Sequence, residues 1–330
     1  MMNQRFDFRR FVDRDNNILQ LLLITAVIFA LMSFLEPTKF LRYYNFESIS
    51  FVFPELGILA IAMMLAMLTG GIDLSVIGIA NLSGILAGVF FLRFSAEATG
   101  MSELLRVGLG VLLALSVGVI AGLINGLLIA KARITPILAT LGTGQIFTGL
   151  CVVLTGGPAI TGFPAYWSAI GNGKILGIAA PLVLFLVVAV VITIVLTRTP
   201  FGLKLMLIGT NPRAAVFAGL SKDRMILYSY MTTGALASIA GIMLSGRTNA
   251  AKSDYGTSYL LQAVLIAVLG GTNPAGGRGT VAGVSIAVVA LMLLASGFQM
   301  MRFSNHLIDF IWGGFLLLVI AINSFRNRNR

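Results

Sequence analysis

Apolar segments of about 20 residues recur along the whole chain, separated by short polar or glycine-rich stretches. A transmembrane helix needs about 20 apolar residues to cross the hydrocarbon core of a bilayer. Unbroken runs such as 182–196 lack the alternation that marks the strands of a membrane β-barrel. The pattern therefore predicts an all-α membrane protein of about ten transmembrane helices, at residues 17–35, 51–69, 76–92, 105–130, 134–155, 175–196, 225–245, 260–271, 281–298 and 307–322.

These windows predict one membrane domain, residues 17–323, between a tail of residues 1–16 and a basic tail of residues 324–330. The first window exceeds the apolar region of a signal peptide and no cleavage pattern follows it, so we expect it to be retained. The eighth window is too short to span alone, so we expect preceding residues to extend it or the helix to enter at a slant.

The longest connections on one side of the predicted bundle are residues 36–50 and 156–174. The second carries the adjacent aromatic residues Tyr166 and Trp167. Such a pair is typical of an anchor at the membrane interface, where the ring is buried and its polar edge stays in water. A docking role for this pair is the alternative interpretation.

The composition, 58% hydrophobic and 11% charged, leaves little polar surface for a water-soluble fold. With ten spans both termini share one side of the membrane, and 15 of the 23 Lys and Arg residues fall there. These are Arg5, Arg9, Arg10, Arg14, Lys131, Arg133, Arg198, Lys204, Arg213, Lys222, Arg224, Arg278, Arg326, Arg328 and Arg330. The positive-inside rule places both termini in the cytoplasm. Contact with anionic lipid accounts for the net charge of +11, so we predict no nucleic-acid partner.

The sequence Thr-Gly-Gly-Ile-Asp-Leu-Ser at residues 69–75 interrupts the second and third apolar segments. Adjacent glycines favour a break in a helix, and an acid at membrane depth costs several kcal/mol on some scales. Asp73 and Ser75 can cap the third span, or they can contact a substrate. Broken backbone within a membrane needs protein or a water-filled cavity around it, so both interpretations place this break on a polar cavity.

A second glycine-rich break occupies residues 270–279. It lacks the lysine and the preceding strand of a phosphate-binding P-loop, and no Walker motif occurs elsewhere. We therefore expect a tight reentrant turn here. Further polar residues within spans are candidates for a substrate pathway, although an amide can simply bond a neighbouring helix: Gln145, Gln262, Gln299 and Asp309. The four-residue spacing of Gly118, Gly122 and Gly126 predicts close helix packing.

The longest connection on the side that carries most of the Lys and Arg residues is residues 197–224, and it contains the pattern of a short helix. Asn211 is a plausible helix N-cap before Pro212, and Gly219 is a plausible helix terminator. The segment 211–220 therefore predicts about two turns of helix that are too short to span. We expect this helix to dock into a groove on another protein, and an ordinary interfacial loop is the alternative.

The residues do not indicate an enzyme active site. The lone histidine, His306, has no neighbouring metal ligands or nucleophile motif, and Cys151 is a buried apolar position without a disulfide partner. We expect no cofactor on this chain. Because Asp73 and Asp309 are acids within the membrane domain, an ion- or proton-coupled carrier is one candidate function.

Several segments together resemble the permease subunits of bacterial ABC importers for simple sugars of the ribose, xylose and arabinose type. They occur in the family's order between Gly57 and Asn323, at residues 68–76, 122–126, 138–143, 197–202, 209–219, 268–272 and 276–279. The resemblance implies a ten-helix permease of the cobalamin-importer-like (type II) architecture in the bacterial inner membrane. It also implies a second permease subunit, identical or homologous, two cytoplasmic ATPase subunits that hold ATP and magnesium, and an extracytoplasmic sugar-binding protein.

The resemblance assigns coupling to the ATPases to the segment that contains Asn211, Arg213, Ala214, Ala215 and Gly219. One departure concerns the substrate. Where these permeases usually have Glu-Leu-Asp, this chain has Leu-Leu-Gln at residues 260–262, which favours a less common sugar, a polyol or a related signal molecule. The motif at residues 70–75 argues against a branched-chain amino-acid permease of the same superfamily.

Overall fold

The computed structural model describes residues 16–95 and 100–328. The helices of this part are α1 (Asn16–Leu35), α2 (Pro37–Phe40), α3 (Tyr43–Leu68), α4 (Val76–Arg93), α5 (Glu103–Ala130), α6 (Pro136–Thr155), α7 (Ala165–Asn172), α8 (Ala180–Arg198), α9 (Pro200–Thr210), α10 (Pro212–Phe217), α11 (Lys222–Thr248), α12 (Tyr259–Leu269), α13 (Val281–Met300) and α14 (Asn305–Arg328). The strands are β1 (Ile160–Thr161), β2 (Lys174–Ile175), β3 (Ile178–Ala179) and β4 (Ala250–Ala251). The predicted tail at residues 1–16 lies outside the described part except for its last residue, and so do residues 329–330 of the other tail.

Eight helices of the described chain are long and apolar enough to cross a membrane: α1, α3, α4, α5, α6, α8, α11 and α13. Each coincides with one of the predicted windows, and α12 and α14 occupy the remaining two. The prediction of an all-α, polytopic membrane protein is confirmed.

The expected extension of the eighth window is wrong. Helix α12 has 11 residues, which rise about 16 Å and cover about half of the hydrocarbon core. The residues before it form turns, with a left-handed Gly256 at φ +67°. The second glycine-rich break follows at its other end, so α12 by itself is too short to cross a membrane.

The predicted window 175–196 begins too early. Residues 174–179 form a two-residue β-hairpin in which Lys174 pairs with Ala179, and α8 begins only at Ala180. Both residues of the turn, Leu176 and Gly177, have positive φ angles of 52° and 84°. Positive φ at both central positions is the signature of a type I′ hairpin turn.

The two predicted outer loops are largely structured. The first, residues 36–50, contains α2 and the first turns of α3. In the second, the expectation of an interfacial anchor is wrong for Trp167, which is fully buried and donates its Nε1–H to Ser245 Oγ at 3.1 Å. Its neighbour Tyr166 is exposed.

Helix α11 is the centre of the bundle and packs against α3, α4, α5 and α7. Its contact with α5 has almost no space for side chains: a Cβ on Gly118 would lie 2.3 Å from the carbonyl oxygen of Gly234, and one on Gly122 would lie 2.1 Å from that of Tyr230. The prediction that the glycine face of α5 packs closely is confirmed. Helix α3 is buried on most of its surface, whereas α1 lies at the periphery.

The bundle has two ends that differ in their contacts. At one end, which we call the basic end, α9 and α10 lie beside the turns at residues 69–75 and 270–280. At the opposite end, β1 pairs antiparallel with β4, and Asn172 Nδ2 donates to the carbonyl oxygens of Gly246 and Arg247. These bonds fix the segment 156–179 over the end of α11.

Candidate functional site

The first glycine-rich break folds inward around its carboxylate. Asp73 is fully buried. Its Oδ1 accepts hydrogen bonds from the backbone N–H and the hydroxyl of Ser75, at 3.0 and 2.6 Å, and its Oδ2 accepts one from the hydroxyl of Thr233 at 3.0 Å. A buried carboxylate needs such donors because burial without them is costly.

The network continues through Ser75 into two further helices. Asn125 Nδ2 donates to Ser75 Oγ at 2.7 Å, and Thr143 Oγ1 donates to Asn125 Oδ1 at 2.6 Å. The start of α4 is thereby connected to α5, α6 and α11. Asp73 and Ser75 join helices at this point and line neither of the two cavities described below.

The glycines of this break are required by space and conformation. Gly70 has a φ angle of +80°, and a Cβ on Gly71 would lie 2.4 Å from the hydroxyl oxygen of Tyr230. Thr69 and Gly70 line a cavity at the basic end, while the next residues turn into the protein. The prediction that the break borders a polar cavity therefore fits its first two residues and not Asp73.

The predicted short helix of the 211–220 segment is present as α10. Asn211 Oδ1 accepts a hydrogen bond from the backbone N–H of Ala214 at 3.0 Å, and Pro212 is at the first helical position. Gly219 has a left-handed φ of +81° just beyond the end of the helix. The predicted cap, helix and terminator are confirmed.

Helix α10 projects from the bundle with apolar side chains uncovered. Ala215 is buried against the protein, whereas Phe217 is 92% exposed and Val216 53% exposed. Arg213 and Ala214 are also exposed. These side chains are available for contact with the membrane surface or with another protein.

Both glycine-rich breaks meet the segment that leads into α10. The backbone N–H of Gly277 donates to the carbonyl oxygen of Leu68 at 3.0 Å. Gly209, at the end of α9, lies against both: its Cβ would be 1.9 Å from Leu68 O and 2.4 Å from Gly277 N. The end of α9, which leads into α10, is therefore in direct contact with the end of α3 and with the second glycine-rich break.

The basic end also contains a cavity of about 980 Å³. Its walls come from residues 129–136, from both glycine-rich breaks and from α9 to α11. Its charged lining residues are Lys131, Arg133, Lys222, Asp223 and Arg224. The one acid among them is 3.7 Å from the ammonium group of Lys131, so the lining carries a net positive charge.

A smaller cavity of about 330 Å³ lies toward the opposite end, among α3, α12, α13 and α14. Two predicted pathway residues, Gln262 and Asp309, line it together with Gln299, which the sequence also indicated. Gln145 lies elsewhere, exposed on α6. The sequence therefore predicted residues that three separate helices bring to one cavity.

Sequence reasoning missed a buried ion pair behind this cavity. The guanidinium of Arg247 donates to the carboxylate of Glu55 through Nη2 at 2.8 Å and through Nε at 3.2 Å. Tyr259, which lines the cavity, donates its hydroxyl to Glu55 Oε1 at 2.8 Å. The available signal was an acid inside the apolar stretch 51–69, because such an acid needs a partner within the membrane.

Comparisons with known proteins identify the family of this chain. A family model described as "Branched-chain amino acid transport system / permease component" matches residues 45–320. Curated relatives include the autoinducer 2 import system permease protein LsrD of Escherichia coli SMS-3-5, of Escherichia coli K12 and of Shigella flexneri. Each is 33% identical to the chain over 272 residues, which cover 81% of this chain and 79% of the relative. No solved structure matches the chain significantly.

The family match covers most of the described membrane helices, and the sequence resemblance to ABC-importer permeases is thereby confirmed. Proteins of this family are transport subunits and not enzymes. The chain belongs to this permease family and is the membrane-spanning permease of an ABC-type importer of small solutes.

Proposed function

We propose that the chain imports a small, neutral, hydroxyl-rich solute of the class that includes simple sugars and autoinducer 2. ATP is hydrolysed on separate cytoplasmic ATPase subunits, and an extracytoplasmic binding protein delivers the solute. The observation that carries this proposal is the junction at Gly209, where the end of α9, which leads into the helix with the exposed Phe217, contacts the end of α3 at Leu68 and the second glycine-rich break at Gly277. The name of the curated relatives supports the class of solute.

In this proposal the basic end faces the cytoplasm, together with both termini, in the plasma membrane of a bacterium. The cavity at that end is lined by four cationic side chains and one acid, in keeping with the positive-inside rule. Helix α10 then lies on the cytoplasmic surface, where ATPase subunits can bind it. The opposite end faces the binding protein.

The proposal includes a second permease subunit, identical or homologous, against the outer face of α6. Gln145 is exposed on this face, between Gly142 and Gly149, and a Cβ on either glycine would meet nothing within 4 Å. An amide that faces lipid is unfavourable, and small residues let another helix approach closely. A covering helix from a second subunit satisfies both conditions.

The general test is solute uptake by membrane vesicles that contain the permease with its ATPases and binding protein. We expect uptake of autoinducer 2 or a simple sugar to require ATP and to survive an uncoupler of the proton gradient. Uptake that stops with the uncoupler while ATP is present would instead indicate an ion- or proton-coupled carrier.

Charge reversal on α10 should weaken coupling to the ATPases. Arg213 is exposed on this helix, so Arg213→Glu reverses the charge that this helix presents to an ATPase subunit. We expect ATPase binding about tenfold weaker, equivalent to about 1.4 kcal/mol, with a similar loss of solute-stimulated ATP hydrolysis. The control Arg93→Glu reverses an exposed charge at the opposite end and should leave both unchanged. Equal activity of the two variants would contradict the coupling role.

The end of α10 offers a second test of the same role. Gly219→Pro is incompatible with the φ angle of +81°, because proline is restricted to about −65°. Gly219→Asn is the matched control, since asparagine tolerates left-handed conformations. We expect membrane insertion of both variants, and loss of stimulated ATP hydrolysis in the proline variant only. A proline variant with normal hydrolysis would argue against α10 as the coupling helix.

A further inference from the structure

The cavity among α3, α12, α13 and α14 has the size and lining of a small-molecule site. Its volume of about 330 Å³ is at the lower end of the range for ligand pockets. Apolar walls come from Leu56, Ile266 and the almost fully buried Trp312. Ligand sites usually combine such walls with a few convergent polar groups, and this cavity has both.

Three polar side chains of this cavity lack partners. Within residues 16–95 and 100–328, the amides of Gln262 and Gln299 and the carboxylate of Asp309 make no hydrogen bond to the protein. Unpaired polar groups within a membrane domain are costly, and they are found where they face water or a solute. Gln262 is half-buried in the wall and the other two are exposed, so the polar groups continue from the wall to the mouth.

The charge of the cavity restricts the class of ligand. Glu55 lies behind Tyr259, but its carboxylate is paired with Arg247 through two hydrogen bonds. Asp309 is then the one unpaired charge among the lining residues that the structure describes. A negative charge at the mouth repels anions, whereas amides and a carboxylate are good partners for neutral hydroxyl groups.

We infer that this cavity is a binding site on the transport route for a neutral, hydroxyl-rich molecule of monosaccharide size. The inference rests on the proposed function and adds a location and an exclusion, since phosphorylated sugars should not bind. Gln262 and Gln299 donate to and accept from hydroxyl groups, Asp309 accepts from them, and Trp312 packs against the less polar face of the solute. The cavity lies toward the opposite end, where a binding protein delivers its solute.

The test is cysteine labelling of the full chain. This method suits the protein because Cys151 is its one cysteine and is buried. In a Cys151→Ala background, Gln262→Cys places a thiol in the cavity wall. Leu176→Cys, at a hairpin position that is 99% exposed, is the control. The reagent is a charged methanethiosulfonate, which reacts with thiols in contact with water, and the protein is purified in lipid nanodiscs. The competitors are autoinducer 2, D-ribose, D-ribose 5-phosphate and L-leucine at millimolar concentration.

We expect autoinducer 2 or D-ribose to slow labelling of Gln262→Cys by about threefold to tenfold, the range that one lost or gained hydrogen bond produces. D-ribose 5-phosphate, L-leucine and the control position should show no effect. Equal labelling of Gln262→Cys with and without the neutral competitors would overturn the inference, and so would equal protection at both positions. If Gln262→Cys does not fold, as judged by its elution volume, Gln299→Cys at the mouth replaces it.

A transport assay separates this inference from the proposed function. In the complete importer, Asp309→Asn keeps the size of the side chain and removes the charge. We expect a KM for the neutral solute raised about threefold to tenfold, with phosphorylated sugar no longer excluded from the labelling site. ATP-driven uptake by the parent protein combined with unchanged KM and unchanged labelling would overturn the cavity as a solute site while leaving the importer function intact.

Discussion

Replacing Arg247 with methionine is expected to destabilise the folded permease by about 3–5 kcal/mol, the usual effect of removing one partner of a buried ion pair. Glu55 is almost completely buried on α3, and the guanidinium supplies two of its hydrogen bonds. Without that partner, the carboxylate is left in the membrane domain with only the Tyr259 hydroxyl as a donor. The apparent melting temperature in one detergent, followed by size-exclusion chromatography, measures the effect.

The double variant Glu55→Leu/Arg247→Met is the matched control. Replacing both members of a buried pair with apolar residues of similar volume is often neutral or stabilising. We therefore expect the double variant to recover most of the lost stability, and the double-mutant cycle to give a coupling energy well above that of distant pairs. If the double variant were as unstable as Arg247→Met, the damage would come from packing and not from the unpaired charge.

The pairing of Glu55 with Arg247 could not be predicted from the sequence. The pattern of apolar segments predicted the long helices because the thickness of a bilayer fixes their length. Glu55 and Arg247 are separated by 192 positions, and nothing in either local segment indicates the other. The apolar pattern identifies what must be buried, but it does not specify which buried polar groups become neighbours.

The short helix α10 could be predicted for a local reason. Its cap, its first proline and its terminating glycine act within a few residues, so the spacing from Asn211 to Gly219 was sufficient. The adjoining helix α9 was missed although it has a proline at its start. Its apolar residues followed the span of α8 so closely that the segment was interpreted as part of a loop.

The hairpin at residues 174–179 was not predicted, because its local sequence suggested a different structure. Ile175, Leu176 and Ile178 are apolar and continue the pattern of the next span, so the window was extended over them. The backbone at Leu176 and Gly177 is left-handed, which hydrophobicity does not indicate. The location of Trp167 was also predicted wrongly. An aromatic residue near a span is compatible both with an interfacial anchor and with a buried position beside Ser245.

Part of the candidate site could be predicted from the sequence. Gln262 and Asp309 were selected as polar residues within spans, and they do line one cavity. Asp73 was selected on the same grounds, but its carboxylate is bonded to Ser75 and Thr233 within the protein. The distinction depends on whether a partner hydroxyl lies within reach, and Thr233 is 160 positions away.

Gly209→Ala is expected to abolish most solute uptake while the protein still inserts into the membrane. The added Cβ would lie 1.9 Å from the carbonyl oxygen of Leu68 and 2.4 Å from the backbone nitrogen of Gly277, so backbone atoms must separate at the junction. Overpacking of this kind costs about 1–3 kcal/mol or more. Because this junction connects α10 to both glycine-rich breaks, we expect ATP-driven uptake to fall about tenfold to a hundredfold.

The matched control is Gly108→Ala on α5, where a Cβ would meet nothing within 4 Å. Alanine is also the better helix former, so this variant should keep normal uptake and stability. ATP hydrolysis measured beside uptake distinguishes two causes of the loss in Gly209→Ala. Hydrolysis that continues without uptake indicates that α10 still binds the ATPases but no longer moves the ends of α3 and α12. Normal uptake by Gly209→Ala would show that this junction does not transmit the movement, and that the route between the ATPases and the solute cavity passes through other contacts.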